Sequence, residues 1–149
     1  MTDGYNGNSL VKRDGVTHNY TKEEITEYQK CMNDSAYFAR TYAKIINLDK
    51  GLVPFDLYPY QEKMFKHFND NRFSVILACR QSGKSISSVI YILWYAIFHP
   101  EKTIAVLANK GATAREMLAR ITLALENLPF FLQPGCRVLN KGSLEFSNN

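Results

Sequence analysis

Apolar and polar positions alternate along this chain with periods that change from segment to segment. Thr21, followed three residues on by Glu24, makes a capping box in which hydroxyl and carboxylate each satisfy a free backbone N–H, and it predicts a helix over about Lys22 to Met32. Phe38, Tyr42 and Ile45 recur at helical spacing and predict a second helix from about Ser35 to Ile46. Gly51 to Tyr60 carries Pro54 and Pro59, which restrain themselves and the residues before them, so a structured connector is expected there. Gln61 to Phe68 reads as a short helix with Met64, Phe65 and Phe68 on one face.

The period then changes. Phe73-Ser74-Val75-Ile76-Leu77-Ala78 is β-rich and almost continuously apolar, the pattern of a strand buried on both faces. A polar turn, Arg80 to Ser85, leads into an apolar helix from Ser85 to Phe98 that Pro100 ends. Thr103 to Ala108 is a second buried-strand candidate, followed by the turn Asn109-Lys110-Gly111. Thr113 and Glu116 form another capping box, and Met117, Leu118, Ile121, Leu125 and Leu128 make an amphipathic stripe. Arg137 to Phe146, with Asn140-Lys141-Gly142-Ser143 at its centre, predicts a small hairpin. Met1 to Asn19 shows no apolar period and carries Gly4, Gly7 and Gly15 among polar residues, so a flexible leader is expected over about 1–20.

Strand, turn, helix and strand in that order form a βαβ unit, which implies an α/β fold with a mostly parallel sheet and helices on its faces. That sheet looks unfinished, because only two central strands and a terminal hairpin are legible.

Composition narrows the class without choosing the function. With 149 residues, 46% hydrophobic and 21% charged, the chain is an ordinary globular domain and not a disordered or collagen-like one. Its 18 Lys+Arg against 14 Asp+Glu give a net charge of +4, spread from Lys12 to Lys141, which is compatible with nucleic acid but does not argue for it. Lys110, Arg115 and Arg120 could share a basic face, although scattered cations more often mark a solvated helix surface. The apolar run Ile86 to Phe98 is broken by Ser87 and Ser88 and is shorter than the roughly 20 residues of a bilayer-crossing helix, so no membrane partner is expected. No secretory signal is visible at the N-terminus. Cys31, Cys79 and Cys136 are too far apart for zinc-type pairing and read as reduced thiols of a cytosolic protein.

The chemistry concentrates at the turn. Gly83-Lys84-Ser85 is the end of the pattern GxxxxGK[ST], in which backbone N–H groups encircle phosphate, lysine neutralises the β and γ oxygens, and the hydroxyl ligates Mg²⁺. The tripeptide alone is weak, but its place between an apolar strand and an apolar helix is the context the motif requires. The helix adds the positive end of its dipole. Ala78 stands where the pattern has its first glycine, a position that needs only a small side chain. Cys79, Arg80, Gln81 and Ser82 complete the loop, and the Arg80 guanidinium could reach a γ-phosphate as an arginine finger supplied in cis would, or else pair with a surface carboxylate. Upstream, Tyr60-Gln61 offers a ring to stack on a base and an amide to read its edge, or simply a packed helix start.

Together these pieces resemble the N-terminal ATPase domain of the large terminase subunit of tailed bacteriophages, especially the myovirus type. The resemblance is carried by Leu57-Tyr58-Pro59-Tyr60-Gln61, Cys79 to Ser85, Leu107 to Gly111, Leu128-Pro129, and Phe131-Leu132-Gln133-Pro134-Gly135. It implies a partial P-loop NTPase sheet of the RecA-like ASCE type over 51–149, preceded by a small helical segment at 21–50. It implies ATP and Mg²⁺ as cofactors: Tyr60 and Gln61 would recognise adenine, Lys84 and Ser85 would serve the phosphates and the metal, and Arg80 would act on the γ-phosphate. It also implies double-stranded DNA, a portal protein and a small terminase subunit as partners, an oligomeric ring in the intact motor, and a place in the host cytoplasm docked on the prohead portal. The acidic Walker B pair, the coupling motif and the nuclease domain would lie beyond Asn149, so this chain alone is expected to be inactive in turnover. Two rivals remain: part of a superfamily 2 helicase, and a non-catalytic nucleotide-binding or interaction module completed by another polypeptide.

Overall fold

Local signals in the sequence account for most of the helical layer. In the computed structural model, which describes residues 4–47 and 49–148, α1 spans Lys22–Asn33 and its capping box is formed as expected, the Glu24 N–H donating to Thr21 Oγ1 at 3.2 Å and the Thr21 N–H to Glu24 Oε2 at 2.9 Å. α2 (Ser35–Tyr42) follows without a break because Asp34 serves both helices. Its N–H closes α1 on the Lys30 carbonyl, and its carboxylate accepts from the N–H groups of Ala36 and Tyr37, opening α2. α3 (Pro59–Asp70) begins with proline at its first position, where no N–H is needed, and runs longer than the expected Gln61–Phe68. α4 (Lys84–Phe98) is the apolar helix, and α5 (Gly111–Glu126) packs on it. The expected Thr113–Glu116 box is not used; the N-cap of α5 lies three residues earlier, at Lys110, without a side-chain cap.

α4 is the centre of the core. Val89, Ile90, Leu93, Trp94, Ile97 and Phe98 are all buried, meeting Phe38 and Ala39 of α2, Phe65 of α3, and Ile121 and Leu125 of α5. Each such side chain contributes roughly 1.5–3 kcal/mol on burial. Trp94 adds direction as well as area, its indole N–H donating to the Cys31 carbonyl at 2.7 Å. Phe98 takes edge contacts from Tyr28 and Phe38.

Three expectations are corrected. Residues 4–20 are not a loose leader: β1 (Gly4–Tyr5) and β2 (Asn8–Lys12) form an antiparallel hairpin across Asn6 and Gly7, both with positive φ, and Val11 is fully buried in the core. The part of that leader at Met1–Asp3 lies outside the described residues. The second predicted helix stops at Tyr42, because β3 (Lys44–Asn47) pairs with β4 (Gly51–Pro54) in a hairpin that also replaces part of the expected connector. The C-terminal hairpin forms as expected, from β5 (Cys136–Leu139) and β6 (Leu144–Phe146).

The third correction concerns the sheet. The protein is a mixed α/β fold whose three sheets are two-stranded and antiparallel, and among the described residues the only parallel pairing is an isolated bridge between Arg13 and Cys136. Residues 73–79 and 102–108 form no strand and belong to no sheet. A cleft of about 870 Å³ is lined by Ser74 of the first, Thr103 to Ala105 of the second, and Tyr91, Ile92 and Tyr95 of α4. With no strand beside either segment among the described residues, apolar side chains stand in solvent, Val75 being 94% and Leu77 100% exposed.

Candidate phosphate-binding site

The turn between residue 79 and α4 is shaped by two left-handed residues, Gln81 with φ 62° and Gly83 with φ 75°. Gly83 is the N-cap of α4, and an added Cβ there would lie 2.7 Å from Gln61 Nε2, so conformation and space both require glycine. The first helical bond of α4 runs from the Ser87 N–H to the Gly83 carbonyl, which leaves the N–H groups of Lys84, Ser85 and Ile86 at the open end of a 15-residue helix. Those donors and the helix dipole favour an anion at that place.

Lys84 folds back over the loop, its Nζ donating to the Cys79 carbonyl at 3.0 Å, and Ser82 Oγ donates to the same oxygen at 3.0 Å. The Cys79 carbonyl thus holds the ammonium within the loop. Ser85 is exposed beside it, Ala78 is half-buried, and the Cys79 thiol is exposed. Arg80 is exposed and pairs with no carboxylate among the described residues.

Tyr60 and Gln61 lie beside the loop in different roles. The Tyr60 hydroxyl donates to the Ser82 carbonyl, and its ring stacks with that of Tyr58, centroids 5.7 Å apart and planes 8° from parallel. Both rings are largely exposed. Gln61 is buried, only 2% exposed, and its amide is engaged inside the protein. Oε1 accepts the Tyr58 N–H at 2.9 Å, and Nε2 donates to Ser87 Oγ at 2.8 Å. Ser87 Oγ in turn donates to the Gly83 carbonyl at 3.0 Å. A polar relay therefore joins the start of α3 to the loop, and Gln61 supports the loop from beneath instead of facing solvent. Sequence reasoning missed Ser87 in this relay. Its signal was a hydroxyl interrupting an otherwise apolar run.

Of the basic candidates on α5, Lys110 is the N-cap, and Arg120 pairs with Glu116 at 2.5 Å one turn away. Among the described residues, no group of three or more His, Cys, Asp or Glu side chains is placed to hold a metal ion. No described helix is long and apolar enough to cross a membrane. No family model matches the chain.

Proposed function

We propose that the chain binds ATP with Mg²⁺ at residues 78–85 and is the nucleotide-binding part of a terminase-type ATPase that drives double-stranded DNA into a prohead. The observation that supports this most directly is the combination at the start of α4: a left-handed Gly83, a row of free N–H groups, and a lysine held over the loop by a carbonyl oxygen. A triphosphate would draw Lys84 Nζ from the Cys79 carbonyl to its β and γ oxygens, an exchange favoured because those oxygens carry full negative charge and the carbonyl oxygen only a partial one. Tyr58 and Tyr60 offer the base a stacking surface, and Arg80 is free to reach the γ-phosphate. Mg²⁺ would be held by the Ser85 hydroxyl and the phosphate oxygens, and would neutralise charge on them.

No carboxylate hydrogen-bonds into the loop among the described residues, so a base or water-positioning group must come from elsewhere for hydrolysis. In this proposal, turnover, the ring, and the portal and small-subunit contacts in the host cytoplasm belong to the intact motor. Calorimetric titration with ATP and Mg²⁺ tests the binding step: saturable heat is expected and Lys84→Ala should abolish it, whereas wild-type protein that gives no heat overturns the reading.

A second reading has its own support. The exposed, unpaired segments 73–79 and 102–108 favour an interaction module that another polypeptide completes. In that case nucleotide binding would persist without turnover after every partner is added.

A further inference from the structure

The start of α3 bears on what a triphosphate site at residues 78–85 asks of the base. Adenine and guanine offer similar flat faces for stacking and differ at their edges, where one carries a donor amine and the other an acceptor oxygen. Telling them apart needs a donor and an acceptor held in fixed positions in the plane of the ring. A glutamine amide suits that task, but Gln61 is turned away from it. The residue is 2% exposed, its Oε1 accepts the Tyr58 N–H at 2.9 Å, and its Nε2 donates to Ser87 Oγ at 2.8 Å. The amide also packs against Gly83, where an added Cβ would lie 2.7 Å from Nε2, so turning it outward would break both bonds and open a void under the loop.

What faces solvent beside the loop is aromatic or unfixed. Tyr58 and Tyr60 stack on one another and stay largely exposed, and the Tyr60 hydroxyl ties the pair to the loop through the Ser82 carbonyl. Stacking on a ring is tolerant of base identity, because every base has a π-face. The Tyr58 hydroxyl is donor and acceptor in one group and fits either edge. Gln81 is exposed, and its side chain makes no hydrogen bond among the described residues, so it turns to present either end of its amide. Glu62, next after Gln61, pairs with Arg40.

We propose that the site selects a triphosphate carrying a flat base and does not select which purine, so that GTP binds about as tightly as ATP. This rests on the reading of residues 78–85 as a triphosphate site and names the ligand class that such a site takes. The phosphates supply the charge recognised by Lys84 and the start of α4, the base stacks on the Tyr58–Tyr60 pair, and Gln61 shapes the loop without touching the ligand.

The test is calorimetric titration of the full chain, in Mg²⁺, with ATP, GTP and methyl triphosphate, which carries the charge of ATP without its base. A bidentate reading of one base would separate it from the other by about 5- to 150-fold. ATP and GTP are expected within about fivefold of each other, and methyl triphosphate at least about fivefold weaker than both, the lower end of what stacking contributes. Tyr58→Ala should weaken ATP and GTP by the same factor and leave methyl triphosphate unchanged, which also shows that the variant is folded. GTP bound more than about fivefold more weakly than ATP, or a Tyr58→Ala loss confined to ATP, overturns this proposal and leaves the triphosphate site standing. Methyl triphosphate bound as tightly as ATP overturns the stacking face. Wild-type protein that gives no heat with ATP overturns the site itself and this proposal with it.

Discussion

Gln61→Leu is the most informative perturbation of the relay beneath the loop, because leucine keeps the bulk of glutamine while removing every polar contact. Two hydrogen bonds are lost, to the Tyr58 N–H and to Ser87 Oγ. The costs differ. Ser87 keeps its own bond to the Gly83 carbonyl and loses only a donor, whereas the Tyr58 N–H is left without its acceptor. Tyr58 is an exposed residue, so water can partly replace the lost acceptor, and with two bonds lost at about 0.5–1.5 kcal/mol each a destabilisation of roughly 1–3 kcal/mol is expected. For a chain of this size that lowers Tm by about 2–12 °C. Urea unfolding checks it, with the midpoint falling and the slope unchanged. Ser87→Ala and the double variant complete a cycle, in which a coupling of about 0.5 kcal/mol or more is expected for groups in contact. The relay also supports Gly83, so Gln61→Leu should weaken ATP binding at temperatures where the variant is fully folded. A destabilisation below about 0.5 kcal/mol, or unchanged nucleotide affinity, would refute the argument that Gln61 holds the loop in place.

Thiol labelling provides a second route to the same loop. Burial pushes the Cys31 thiol up to about 12 and that of Cys136 up to about 11, while Cys79 is exposed. Their thiolates are absent near neutral pH and appear only as pH rises toward those values, so a maleimide at pH 7.5 should label one site, Cys79, and ATP with Mg²⁺ should slow the reaction. Mass spectrometry showing labels on Cys31 or Cys136 in the native protein would contradict this burial. At the other end of the fold, Gln133→Leu removes the amide that joins β2 to the end of α5 and should cost roughly 2–4 kcal/mol in urea unfolding; a loss under about 1 kcal/mol would mean that the hairpin is held mainly by Val11.

Sequence made the helical layer and the loop legible because their signals are local. Thr21 and Glu24, Pro100 after α4, and Gly83-Lys84-Ser85 each act within a few residues of the structure they set. The misses have physical causes as well. Asn6-Gly7 is a strong two-residue hairpin signal, but short polar strands give it no apolar pattern to punctuate, and local composition points to a loose leader. Ile45 fell at helical spacing from Phe38 and Tyr42, so the helix was carried into β3; the β-branched pair Ile45-Ile46 facing Leu52-Val53 across a turn was the competing signal. The relay through Ser87 depends on residues far apart in the chain, and no local pattern contains it.

The segments around Val75 and Leu107 separate what a local pattern determines from what it does not. Their sequences read as buried strands, yet no strand forms; a buried strand needs partners on both edges and cover over both faces, and those are not present among the described residues. Each segment is bracketed by cations, Arg72 and Arg80 for one and Lys102 and Lys110 for the other, an arrangement that discourages stacking of apolar strands between copies. This restraint works against a strong drive, since burying Val75, Leu77 and Leu107 would each release roughly 1.5–3 kcal/mol. The chain should therefore self-associate as its concentration rises. Leu77 touches solvent on all sides, so Leu77→Lys should change folding stability by less than about 0.5 kcal/mol while reducing that association. Sedimentation velocity over a concentration series, with urea unfolding beside it, measures both. A wild-type chain that stays monomeric throughout, or a variant destabilised by more than about 1 kcal/mol, would show that these side chains are already covered in solution and that the cleft beside them is closed.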